Sequence, residues 1–131
     1  MGMYRAYING QRVGEELFTP YWTEYSKRLQ YQTYDVTNLM GKNTDFCIIC
    51  AEGWAVGDIR SGGSWRNHYA DNISLKFVLN ITYDDGTKAE IISDENIKVR
   101  TSEIVSSSIY NGETIDKTAE IREIGNALID E

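Results

Sequence analysis

A single histidine, a single proline and two cysteines are all that the 131 residues contain of those types, and each scarcity excludes a kind of chemistry. With His68 alone, no HExxH zinc motif can form, and a Ser-His-Asp triad would have to be built on one histidine in a polar loop. No GxSxG elbow is present, and no glycine-rich phosphate loop follows a strand. Long apolar runs are missing too. Nothing approaches the roughly 20 residues that cross a bilayer, and the opening "MGMYRAY" lacks the basic and apolar regions of a signal peptide. The expectation is a soluble, cytoplasmic chain with no membrane contact, no metal and no cofactor.

A surplus of basic residues is absent as well. Residues 1–50 hold five Lys/Arg and five Asp/Glu, whereas residues 51–131 hold eight and fifteen, so the net charge of -7 resides in the second part. Nucleic acid is bound through clustered cations, which this balance does not supply. An acidic surface rich in rings is compatible with a neutral ligand such as a sugar, although solubility accounts for acidity equally well.

Cys47 and Cys50 spell "CIIC" inside the short apolar run "DFCIICAEGW", the pattern of a buried strand. Residues three apart on a strand point to opposite faces and lie about 10 Å apart, beyond the roughly 7 Å Cα limit for a disulfide. Zinc would need further ligands that the sequence does not offer. The thiols therefore read as core residues of a protein in a reducing compartment.

What the sequence does have is alternation. "MYRAYINGQRVG", residues 3–14, sets Met3, Arg5 and Tyr7 against Tyr4, Ala6 and Ile8, and Asn9-Gly10 then supplies a type I′ hairpin turn. That strand begins almost at the first residue, as it would in a piece cut from a longer polypeptide. "KRLQYQTYDV" predicts a strand with Leu29, Tyr31 and Thr33 on one face and Gln30, Gln32 and Tyr34 on the other, most of its rings being packing. "TNLMGKN" predicts one helical turn, capped by Thr37 and ended at Gly41. Residues 60–72, "RSGGSWRNHYADN", read as a long exposed loop. In residues 73–100, Leu75, Phe77, Leu79 and Ile81 share a face, Asp85-Gly86 makes a turn, and Ala89 and Ile91 return. A short strand follows near Ile104, and the tail from Lys117 spaces Ile121, Ile124 and Leu128 as a short helix would. About seven short strands without βαβ spacing define an all-β chain, an antiparallel β-sandwich of jelly-roll or carbohydrate-binding-module type. Residues 1–116 are assigned to the sandwich and 117–131 to a trailing segment or linker.

Rings are plentiful: nine Tyr and three Trp, with five rings between residues 21 and 34 in "PYWTEYSKRLQYQTYDVT". Sugars offer flat C–H faces to aromatic rings while their hydroxyls bond to polar side chains. Trp65, Arg66, His68 and Tyr69 form one such candidate cluster in the long loop, beside Asn67, Asp71 and Asn72. Trp22 and Tyr25 form a second, in the loop before the strand. Rings that cap the end of a sandwich core would produce the same pattern. Twenty acidic residues could furnish a glycosidase pair, but sequence does not select two carboxyls roughly 5 to 10 Å apart, and no catalytic residue is assigned.

Taken in order, "YINGQRVG", "PYWTEYSKRLQYQTYDVT", "EGWAVG", "ITYDDGT", "ISDENIKV" and "SSSIYNGETID" resemble the N-terminal β-sandwich module of bacterial α-L-rhamnosidases over about residues 3 to 116. The resemblance implies a non-catalytic accessory domain of a multidomain glycoside hydrolase that releases terminal α-L-rhamnose with inversion. The acid and base would lie in a separate (α/α)₆ barrel. It implies two partners, that catalytic barrel and a rhamnose-containing glycan. It adds Trp54 of "EGW" to the ligand candidates and makes Tyr110, Asn111, Glu113 and Asp116 candidates for docking on the barrel. Two departures from the family pattern stand at Tyr21, where glycine is usual before the tryptophan, and at Ala55-Val56 after "EGW". The alternative is a free-standing lectin-like or adhesion sandwich.

Overall fold

The computed structural model describes residues 1–60 and 65–129. Its described residues form nine short strands, one α-helical turn and one 3-10 turn. All pairings given in register are antiparallel, and no sheet closes into a barrel, in keeping with the all-β, sandwich-like class expected. No described helix is long and apolar enough to cross a membrane. The chain divides into two compact units: unit 1 is Met1–Ile73 with Ser107–Gly112, and unit 2 is Ser74–Ser106 with Glu113–Glu131.

Unit 1 is built on a three-stranded sheet in the order β2-β1-β3, with β1 at Met3–Ile8, β2 at Gln11–Arg12 and β3 at Phe46–Ala51. The hairpin turn is the one that Asn9-Gly10 demands, since both residues take positive φ, 51° and 76°. Asn9 does more than turn. Its backbone N–H donates to Asp45 O, its Oδ1 accepts the Asp45 N–H, and its Nδ2 donates to Leu39 O, each at 2.9 Å. The register Tyr4↔Cys50 and Tyr7↔Cys47 lays β3 along β1, and both cysteines are free thiols. Burial pushes the Cys50 thiol above its ordinary pKa, as a packed sulfur requires.

Directly after β3 comes α1, Gly53–Val56. Gly53 sits at φ 56°, where a Cβ would lie 2.6 Å from Met3 Cγ, so glycine lets the turn start against β1. Ala55 and Val56 are buried with Tyr25, and Met1, Trp54, Tyr69 and Ala70 pack on them. The loop expected to be exposed is strapped to this turn. Asn67 N–H donates to Val56 O, and Tyr69 and Ala70 N–H both donate to Ala55 O. Residues 61–64 of that loop lie outside the described residues.

Two local expectations are corrected here. The stretch 28–36 alternates, but it is not a strand: Leu29 and Tyr31 are exposed, Tyr31 at 86%, while Gln32, Tyr34 and Val36 turn inward. Hydrogen bonding decides the orientation, because Tyr4 Oη donates to Gln32 Oε1 at 2.8 Å and Tyr34 Oη donates to Glu16 Oε2 at 3.2 Å. Burial and these neighbours raise the Tyr34 pKa well above that of a free tyrosine. The helical turn at Thr37–Leu39 exists, but its N-cap position is Val36 rather than Thr37, and no side chain caps it. The Asp35 carboxylate accepts from both the N–H and the hydroxyl of Thr37.

Unit 2 consists of two-stranded ribbons. β4, Val78–Thr82, pairs with β5, Lys88–Ile92, through a turn in which Gly86 takes φ 83° and the Asp85 carboxylate accepts from Thr87 N–H and Oγ1. β6, Lys98–Arg100, pairs with β9, Glu123–Asn126, across a bulge at Val99/Arg100. β7, Ile104–Ser108, pairs with β8, Gly112–Ile115. The tail is thus a strand where a helix was expected. Gly125 and Asn126 are poor helix residues, and β6 offers an edge: Thr101 N–H donates to Arg122 O and Ala127 N–H to Ile97 O.

Candidate functional site

The side chains suited to ligand contact converge in unit 1. Trp22 comes from the loop after Pro20, Trp54 from α1, Ile59 from the segment after it, Tyr69 from the strapped loop and Tyr110 from the tip of the β7–β8 hairpin. Together they line an open cleft of about 330 Å³.

Each wall has a mechanical cause. The loop carrying Trp22 is tied down by Thr19, which is buried. Tyr4 N–H donates to Thr19 O at 3.0 Å, and Thr19 Oγ1 donates to Tyr4 O at 2.9 Å. Phe18 and Tyr21 flank Thr19 and Pro20 at positive φ, 59° and 74°, in a region that bulky residues rarely enter. Their backbone turns Trp22 outward, and it remains 52% exposed. Phe18 meets Trp54 with ring centroids 6.2 Å apart. Tyr25 forms the floor: its ring meets Tyr69 edge-on at 5.0 Å, and its hydroxyl donates to Tyr21 O at 3.0 Å. Burial, reinforced by Tyr69, raises the Tyr25 pKa above that of a free phenol. Tyr25 is therefore a core ring, and Trp22 is the one of that pair that lines the cleft.

The hairpin tip is held by side chains. Tyr110 Oη donates to Ile59 O at 2.9 Å, and Asn111 Nδ2 donates to Asp58 Oδ2 at 3.5 Å. Asp58 is 8% exposed, and its Oδ1 is buried without a hydrogen-bond partner. Tyr110, expected as a docking residue, thus belongs to the same cleft as the ligand candidates, and Asn111 braces it from behind. Glu113 and Asp116 do not join them. Both lie in unit 2, where Asp116 closes a turn by accepting from Thr118 N–H and Oγ1, which holds its carboxyl below the usual value.

Of the loop cluster, Tyr69 lines the cleft, whereas Trp65, Arg66 and His68 do not. Trp65 and His68 stack at 5.9 Å, His68 meets Tyr69 edge-on at 4.6 Å, and the Arg60 guanidinium lies 4.6 Å from the Trp65 ring centre. Arg66 forms an ion pair with Glu52, which raises the guanidinium pKa further. Ile59 and Asp58 went unnoticed in the sequence, since an acid followed by an isoleucine after a glycine carries no signal of burial or of a wall. The cleft's lining is four ring faces and an isoleucine, a surface for stacking rather than for proton transfer. Among the described residues, no three His, Cys, Asp or Glu side chains are grouped to hold a metal.

An antiparallel all-β domain with an aromatic cleft is the class these features define. The family model of the alpha-L-rhamnosidase N-terminal domain matches residues 1–131, and the chain belongs to that family. The match includes the tail that was set apart as a linker. An alpha-L-rhamnosidase of Streptomyces avermitilis is 38% identical over 122 residues, which are 92% of this chain and 12% of the relative. One from Formosa agariphila is 38% identical over 125 residues, 92% of this chain and 13% of the relative. In three dimensions the chain is similar to native alpha-L-rhamnosidase from Aspergillus terreus, with 42% identity, a TM-score of 0.81, and 86% of this chain and 13% of that one covered. It is equally similar to the S. avermitilis alpha-L-rhamnosidase complexed with L-rhamnose, with 37% identity, a TM-score of 0.82 and coverages of 88% and 11%. The chain spans about an eighth of the length of the curated relatives, at 12% and 13%.

Proposed function

We propose that this chain is the accessory N-terminal domain of an α-L-rhamnosidase, and that its aromatic cleft contributes to recognition of the rhamnoside. The parent enzyme would hydrolyse terminal α-L-rhamnose with inversion, through acid and base groups in a separate helical barrel on which this domain docks. The observation that carries the reading is the convergence of Trp22, Trp54, Tyr69 and Tyr110 on one cleft. Rings of that kind stack on the apolar face of a deoxysugar such as rhamnose, whose C6 methyl widens that face. Family membership and the greater length of the relatives support a parent enzyme over a free-standing lectin.

Affinity chromatography on a rhamnose-bearing matrix tests this. A stacked ring contributes roughly 0.5–1.5 kcal/mol beyond area burial, so Trp22→Ala should weaken retention roughly 3- to 10-fold. Its melting temperature should hold, because Trp22 is already half exposed. Trp65→Ala should retain nearly wild-type binding. Equal loss in both variants, or none in either, removes the cleft from the account.

A further inference from the structure

We infer that the aliphatic face of the β4–β5 ribbon is a docking surface for the remainder of the rhamnosidase chain, which rests on the reading of this chain as one domain of a longer enzyme. The register places Leu79 opposite Ile91 and Ile81 opposite Ala89. Because successive side chains on a strand point to opposite faces, these four share one face. Asn80 with Glu90 and Thr82 with Lys88 share the other, with Val78 and Ile92 at its open end. A sheet divided in this way has one side built for cover and one for water.

The cover is incomplete. Leu79, Ile81 and Ala89 are only half-buried, and Ile91 is 47% exposed. Unit 2 has no buried residue among those described, whereas unit 1 has a core of its own. A two-stranded ribbon is marginal in water without something packed on its apolar face.

Three observations select the occupant. Between its paired residues the face is aliphatic, Phe77 continues it one step before β4, and it has no convergent donors or acceptors, which fits the packed surface of a protein better than a glycan. Unit 2 carries twelve Asp/Glu against six Lys/Arg, so two copies meeting here would bring like charges together. The relatives continue far beyond the matched region, which is 12% and 13% of their length. An apolar surface with a basic rim, contributed by the same polypeptide, satisfies all three.

Hydrogen exchange read by mass spectrometry, on the 131-residue chain and on the intact gene product that contains it, decides the matter. Peptides spanning 78–82 and 88–92 should exchange at least about tenfold faster in the chain alone, for each 1.4 kcal/mol of lost protection is a factor of ten. In the intact protein, Leu79→Ser with Ile91→Ser should raise exchange there towards the rate in the isolated chain and leave retention on the rhamnose matrix unchanged. Equal exchange in the two proteins overturns the inference while sparing the cleft. Protection in the isolated chain that grows with concentration, alongside a dimer in sedimentation, assigns the face to a second copy and overturns it too. A reading frame that ends at Glu131 refutes the parent enzyme itself, a failure of the underlying reading.

Discussion

At the scale of the residue, the core of unit 1 is small enough that single atoms matter. Ala55 is completely buried between Tyr25, Val56 and the strapped loop, so Ala55→Leu should overpack the site and destabilise the chain by about 1–3 kcal/mol in urea titration. Gly53→Ala should cost about 1–2 kcal/mol for a different reason. At φ 56° an L-residue is strained, and the added methyl would also lie 3.2 Å from the Met3 backbone nitrogen. A Gly53→Ala variant as stable as the parent would contradict the close approach of α1 to β1. Neither residue announces itself in the sequence as a hinge or a plug. Both stand in "EGWAV", where Trp54 draws attention and its small neighbours make its position possible.

At the scale of the element, turn chemistry is the most readable feature and alternation the least complete. Asn9-Gly10, both at positive φ, and Gly86, at φ 83°, specify their hairpins because few other residues accept those dihedrals. The segment 28–36 shows the limit: its period of two is real, but period does not say which face goes inward. Two hydrogen bonds, to Tyr4 and Glu16, place polar Gln32 and Tyr34 inside. The tail shows another limit, since the spacing of Ile121, Ile124 and Leu128 admits a helix and the free edge of β6 overrules it. The site was legible to the level of rings. Trp22, Trp54, Tyr69 and Tyr110 could each be chosen, yet their meeting in one cleft depends on contacts between residues as far apart as Ile59 and Tyr110. The turns also titrate. Asp35, Asp85 and Asp116 each accept two bonds from the Thr two residues on, which lowers all three carboxyls below the ordinary 3.8. A lowered folded pKa contributes stability that is present above the ordinary value and is lost as pH falls through the folded one. The Thr87 amide proton should therefore titrate with a midpoint below 3.8, and Asp85→Asn should abolish that titration. A midpoint at or above 3.8 would deny the carboxylate its role in the turn.

At the scale of the whole molecule, the two units differ in kind. Unit 1 has a buried cluster, a sheet and the aromatic cleft, whereas unit 2 is built of ribbons and none of its described residues is fully buried. That difference accords with a domain that meets a ligand through the first and a larger protein through the second. In the proposed function the ligand is a rhamnoside and the larger protein is the rest of the rhamnosidase. The chain alone should show no turnover of an aryl α-L-rhamnoside, because the proposed hydrolytic groups lie elsewhere in the parent. The most direct measurement is an NMR titration of the 131-residue chain with methyl α-L-rhamnoside, following the indole N–H of all three tryptophans and the ring protons of the tyrosines. Saturable shifts at Trp22, Trp54, Tyr69 and Tyr110, with a roughly millimolar Kd and a quiet Trp65, are the predicted result. Shifts centred on Trp65 and His68, or no saturable shift at any ring, would contradict it.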